Sequence, residues 1–130
     1  MPDMVIDASS LAAVVFEEPD GVSVLEYCRG SRLLAPSLVD YEMANICLMK
    51  KRRYPDVAEK LAIQFDAYQR LDLKRCTVEI GAVLALAEKT RLTAYGAAYL
   101  WLAIKNGCPL STLDKALETA WRQILTTRTN

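Results

Sequence analysis

Three carboxylates stand where solvated surface charge is not expected. Asp7 closes the apolar run Met4-Val-Ile, Glu42 lies within Leu38-Val-Asp-Tyr-Glu-Met-Ala44, and Asp114 closes Leu110-Ser-Thr-Leu. A buried carboxylate without a partner costs several kcal/mol, so each needs a donor, a counter-charge or a cation. Acidic oxygens on one rim suit Mg²⁺ or Mn²⁺, which take carboxylate and water in octahedral geometry. Such an ion lowers the pKa of a bound water and stabilises charge on a phosphoryl oxygen. Taken singly, Asp7 and Asp114 read equally well as N-caps of the helices that follow them. Glu42 reads as a residue well inside a helix, where it caps nothing.

The rest of the composition narrows the chemistry. The 130 residues contain no histidine. That removes Ser-His-Asp and Cys-His triads, imidazole acid–base catalysis and every zinc site that needs imidazole. Sixteen Lys and Arg balance sixteen Asp and Glu, so no dominant basic field is present, although a local patch is allowed. The four cysteines, Cys28, Cys47, Cys76 and Cys108, form no CxxC pair. They read as reduced, mostly buried thiols of a cytoplasmic protein. The start of the chain lacks the basic and long apolar regions of a signal peptide. The longest apolar run, Leu92 to Ile104, is too short to span a bilayer, so no membrane is expected.

The elements that must position these acids alternate between short apolar strands and helices. The length suits one domain over residues 1–130. Strands are expected at Met4–Ile6, Leu33–Ala35, Leu71–Leu73 and Pro109–Leu113. Helices are expected over 9–16, 22–29, 36–51, 55–70, 78–89, 93–106 and 115–125, with a frayed tail from Thr126. Pro36 reads as the opening residue of its helix, where a missing N–H costs nothing. Leu38, Glu42, Asn45 and Met49 then share one helix face. Thr93 reads as an N-cap, and Gly107 as the stop of the same helix. Tyr95, Tyr99 and Trp101 on that helix read as packing residues. The pattern predicts a three-layer α/β/α sandwich with a central parallel sheet. Sites in such folds lie beyond the carboxyl ends of the strands, near the switch point.

Four segments resemble, in order, the motifs of PIN-domain ribonucleases, and among these the VapC-type toxins of toxin–antitoxin pairs. They are Met4-Val-Ile-Asp-Ala-Ser-Ser-Leu11, Ala35-Pro-Ser-Leu-Val-Asp-Tyr-Glu-Met-Ala-Asn45, Leu92-Thr-Ala-Tyr-Gly-Ala-Ala-Tyr-Leu-Trp-Leu-Ala103 and Pro109-Leu-Ser-Thr-Leu-Asp114. The resemblance covers essentially the whole chain. It implies a PIN-like fold and a Mg²⁺- or Mn²⁺-dependent endoribonuclease with Asp7, Glu42 and Asp114 at the metal. It further implies that Ser9, Asn45 and Thr112 hold those carboxylates by hydrogen bonds. A homodimer, an RNA substrate and a cognate VapB-like antitoxin are implied as well.

The third segment departs from the family at Gly96, where the family carries an aspartate. If Thr93 is the N-cap, position 96 is N3, where an acid would meet the positive end of the helix. Glycine there is either native to a member with an altered site or an inactivating substitution. A structural reading of Gly96 is a close approach by another backbone. Without the acid, the expectation is a retained fold and retained partner binding with impaired cleavage. Glu118, one turn beyond Asp114, is a weak candidate for compensation.

Other classes compare as follows. A receiver-type phosphoacceptor would need an acidic pair near its first strand, which Asp3 alone does not supply. A dehalogenase-like phosphatase needs two acids two residues apart, and Asp7-Ala8-Ser9 does not provide them. The non-enzymatic alternative is a catalytically inactive PIN-like binding protein that acts through antitoxin or RNA. Lys50 to Arg53, with Arg70, Lys74 and Arg75, would then form its phosphate-binding face.

Overall fold

In a computed structural model of the chain, which describes residues 1–129, strand β1 runs Asp3–Ile6 and is buried from Met4 onward. It is followed by α1 (Ala8–Val15), α2 (Gly21–Cys28), β2 (Arg32–Pro36) and α3 (Val39–Arg53). A 3₁₀ turn at Pro55–Val57 leads into α4 (Ala58–Gln69) and β3 (Leu73–Cys76). The chain continues through α5 (Ile80–Thr90), α6 (Ala94–Asn106), β4 (Leu110–Ser111) and α7 (Lys115–Thr129).

The strands pair in parallel, in the order β3-β2-β1-β4. From β1 the chain steps outward through β2 to β3, then adds β4 on the other side of β1. The direction of winding therefore reverses between β1 and β4, and a crevice opens beyond their carboxyl ends. Helices cover both faces, as a parallel sheet requires. α6 rests on β1, β2 and β4 and packs against α5 and α7, while α1 packs against α2, α3 and α4. Val5, Ile6, Leu34, Ala35 and Leu110 form the centre of the core, met by Leu11, Val39, Met43 and Leu100 from the helices. A smaller cluster of Val83, Ala87, Ala97 and Ala98 fastens α5 to α6. This is the α/β sandwich with a central parallel sheet that the alternation predicts.

Several local expectations are corrected. Pro36 ends β2 instead of opening a helix. The register of β1 with β2 stops at Leu34, so the missing N–H of Pro36 breaks no bond on that side. The Ser37 N–H then donates to the Cys76 carbonyl at 3.1 Å, and α3 begins only at Val39. β3 lies at Leu73–Cys76, not at Leu71–Leu73. As an edge strand it tolerates Lys74 and Arg75. β4 is only Leu110–Ser111, because Thr112 turns out of the sheet to bond Asp7. α7 does not fray at Thr126. The Thr126 and Thr127 hydroxyls donate to the carbonyls of Arg122 and Gln123 at 3.0 and 2.9 Å, and the helix continues to Thr129. The buried stripe of α3 is Val39, Met43 and Cys47, which leaves Asn45 and Met49 exposed.

All four cysteines are free thiols; Cys47 is buried and the other three are half-buried. Among the described residues, no helix is long and apolar enough to cross a membrane.

Candidate active site

Asp7 is the first residue past β1, and its side chain is buried, at 5% exposure. Its Oδ1 accepts the Ser10 backbone N–H at 3.0 Å and the Ser9 hydroxyl at 2.7 Å. Its Oδ2 accepts the Thr112 hydroxyl from the loop after β4. That loop is tied back twice more. The Leu113 N–H donates to Ser9 Oγ at 2.9 Å, and the Asp114 N–H to Thr112 Oγ1 at 3.0 Å. Asp114 caps α7, accepting the Leu117 N–H on Oδ1 at 2.9 Å. Its Oδ2 has no hydrogen bond among the described residues. Asp7 and Asp114 are thus both helix caps, and both also line the same cleft.

Glu42 corrects its sequence reading. Because α3 starts at Val39, Glu42 lies in the first turn rather than deep in the helix. The positive end of the helix therefore faces it. Its Oε1 accepts the Tyr99 hydroxyl at 2.6 Å. Tyr99 comes from α6 and is buried, so it packs as expected and also grips the acid. Burial, reinforced by Glu42, holds the Tyr99 hydroxyl far above its ordinary pKa, so it stays protonated and donates.

Burial raises the Asp7 carboxyl above its ordinary value, against the hydrogen bonds from Ser10, Thr112 and Ser9, and the Asp114 charge adds to the rise. Burial likewise raises Glu42, against the Tyr99 bond, with the Asp7 charge adding. The charges acting on both acids are other carboxylates; no Lys or Arg lowers either one.

The cleft, of about 440 Å³, is lined by Asp7, Ser9, Glu42, Gly96, Tyr99 and Asp114, together with the exposed Arg91 and Tyr95. Gly96 is N3 of α6, and its N–H donates to the Thr93 N-cap hydroxyl at 3.1 Å. A Cβ added there would meet Thr93 Oγ1 at 3.6 Å and Leu92 Cβ at 3.9 Å, which is ordinary contact. No other backbone crowds the position, so packing does not demand glycine. A side chain at 96 fits.

The donor set fits a hard cation: it is all oxygen and acidic, and no Lys or Arg lowers Asp7 or Glu42. Among the described residues, however, no three Asp, Glu, Cys or His side chains are grouped to enclose an ion. The arrangement therefore suits an ion that keeps much of its water shell and takes one or two carboxylates, as Mg²⁺ does.

Of the residues singled out from the sequence, Asp7, Ser9, Glu42, Gly96 and Asp114 line the cleft and Thr112 holds Asp7. Asn45 is exposed and lies outside the lining. Glu118 pairs with Arg122 at 2.8 Å and lines a different groove. The basic residues outside the cleft are partly neutralised: Lys50 pairs with Glu18 at 2.9 Å, Arg70 with Asp66, and Arg75 with Asp40 at 2.9 Å. The sequence marks Tyr99 only as packing and does not mark Arg91; both line the cleft. Tyr99 stands three residues after Gly96, on the same helix face, and its role as donor to Glu42 shows only in the fold.

No family model matches the chain. The chain is 30% identical over 128 residues to Ribonuclease VapC3 of Pyrobaculum aerophilum, spanning 95% of this chain and 98% of that protein. Its fold matches the crystal structure of PAE2754 from the same organism. The TM-score is 0.66 at 21% identity, over 98% of this chain and 90% of that one.

Proposed function

This chain belongs to the VapC family of ribonucleases, and from that premise we propose that it is a toxin-type endoribonuclease hydrolysing RNA phosphodiester bonds with Mg²⁺ or Mn²⁺. The observation that carries the reading is the cleft at the β1/β4 switch point, lined by three carboxylates with no cation lowering Asp7 or Glu42. Of Asp7, Glu42 and Asp114, one or two would hold the ion directly and the others through its water shell; when bound, the ion supplies an activated water and charge stabilisation at phosphorus. Ser9, the Ser10 N–H and Thr112 fix the Asp7 carboxylate in one orientation. The Tyr99 hydroxyl does the same for Glu42. Asp114 spends Oδ1 on the α7 cap and keeps Oδ2 for the cleft.

Gly96 leaves one wall of this cleft without its acid. The proposed consequence is weak ion binding and impaired cleavage, with the fold, a cognate VapB-like antitoxin and a second copy of the chain still bound. The proposed place of action is the cytoplasm. The missing acid at Gly96 favours, as the second reading, an inactive PIN-like protein that only binds antitoxin or RNA.

The test compares this chain with Gly96→Asp, by Mn²⁺ calorimetry and by metal-dependent RNA cleavage. The added carboxylate should tighten Mn²⁺ by at least about tenfold, the low end of what losing an outer hydrogen-bond partner costs. Cleavage should rise with it. Equal affinity and activity in both would refute the role of position 96. Undetectable Mn²⁺ binding in both would sink the metal reading.

A further inference from the structure

Arg91 is an arginine where the backbone calls for glycine. It ends α5 in the left-handed conformation, at φ 63° and ψ 16°. Helices that stop this way mostly use Gly or Asn, because a Cβ is penalised there. α6 stops in the same conformation and does carry a glycine, Gly107, at φ 58°. No local contact offsets the strain at Arg91. Its side chain is exposed and makes no ion pair or hydrogen bond among the described residues.

What Arg91 does have is position. It is the one basic side chain lining the acidic cleft among the described residues. It also lines a second groove, of about 530 Å³, where Lys89, Thr90, Gln123 and Thr127 surround the apolar Ile104 and Ile124. Arg91 is the residue the two clefts share. It is not among the charges that lower Asp7 or Glu42, so its guanidinium remains available.

We propose that Arg91 is a phosphate-binding residue that seats the RNA strand at the mouth of the acidic cleft and leads it into the groove between α5 and α7. The inference rests on the RNA reading above. An anionic strand is repelled by the carboxylates, and a cation at the mouth offsets that repulsion. A guanidinium fork matches two phosphate oxygens at once. Strained backbone at a non-glycine residue is characteristic of ligand clamps. Lys89, with the hydroxyl and amide groups of the second groove, then meets the next phosphates and 2′-hydroxyls.

The experiment measures anisotropy of a short fluorescein-labelled single-stranded RNA of mixed sequence. It uses the full chain across a salt series, with EDTA and again with Mg²⁺, and a gel confirms that the RNA is intact. Arg91→Gly should weaken binding about tenfold, the worth of a charge-assisted contact. It should also flatten the salt dependence by about 0.7, one phosphate on a single strand. The same variant should melt at a higher temperature, because the left-handed strain is gone. Binding and stability thus move in opposite directions, which a merely structural role would not produce. Arg91→Lys keeps the charge without the fork and should fall between. Lys51→Ala removes an equal charge from a half-buried position in the last turn of α3 and should weaken binding less than Arg91→Gly does. Unchanged affinity and salt slope in Arg91→Gly would overturn the role of Arg91 and leave the RNA reading standing. A larger loss in Lys51→Ala would seat the strand on α3 and overturn it too. No binding by the intact chain in either buffer would overturn both.

Discussion

At Asp7 one oxygen caps α1 while the other is held by Thr112, so a single carboxylate joins a helix start to the loop that carries Asp114. Burial gives it and Glu42 raised values relative to the ordinary 3.8 and 4.5. The folded state therefore holds protons that the unfolded chain has released. Their contribution to stability is full below the ordinary values, declines as pH rises through the window above them, and is gone beyond the folded values. Asp40, lowered by the Arg75 contact, has the opposite sign, but its window lies below 3.8. Metal-free protein should accordingly lose stability in urea as pH rises from about 4 toward 7. Asp7→Asn, which keeps an oxygen for the cap, should flatten that slope. Stability that climbs with pH in EDTA would contradict the burial of these acids. Tyr99 is the residue-scale surprise: its spacing marks it as packing, and only the partner across the sheet, Glu42 on α3, reveals its second role.

α6 is the element on which the site depends most. Its first two turns present Thr93, Gly96 and Tyr99, and its far side packs Ala97 and Ala98 against α5. Thr93 accepts the Gly96 N–H and so fixes the turn that lines the cleft. Thr93→Ala should cost about 1 kcal/mol, the usual worth of such a cap. Thr93→Ser should restore most of it in the same urea titration. A Thr93→Ala midpoint equal to that of the intact chain would mean that the cap contributes nothing. The start of α3 is held differently. Asp40 accepts the Tyr68 hydroxyl at 2.6 Å and Arg75 Nη2 at 2.9 Å, which ties the turn bearing Glu42 to α4 and β3. Both Asp40 and Arg75 are partly exposed, so the pair itself adds little stability. Its effect is to set where the turn points.

For the molecule as a whole, the strand order matters more than any single contact. Adding β4 beside β1 after the chain has wound to β3 brings residues 7 and 114 to one crevice, and α3 delivers residue 42 to it. The proposed second copy needs a surface, and α5 offers Ile80 and Leu84 one turn apart, at 73% and 56% exposure. Leu84→Glu should leave the monomer folded, because the side chain already meets water, and should convert a dimer to a monomer in analytical ultracentrifugation. Unchanged sedimentation would remove this face from consideration.

The α/β alternation, the Thr93 cap and the Gly107 stop are local properties of hydrophobic period and backbone preference, and the sequence alone determined them. The sequence alone also excluded imidazole chemistry, because the chain contains no histidine. Pro36 shows the limit. Its ring allows both a helix start and a strand end, and the ladder from Ser37 to Cys76 selected the second. That choice moved the start of α3 to Val39, brought Glu42 into the first turn and left Asn45 exposed. Gly96 shows the converse, since only the packed structure reveals an empty place where a Cβ fits without strain. Strand boundaries, helix rotation and the convergence of Asp7, Glu42, Asp114 and Arg91 on one cleft depend on partners far away in the chain. Those pairings were decided by the tertiary structure, because no local preference specifies them.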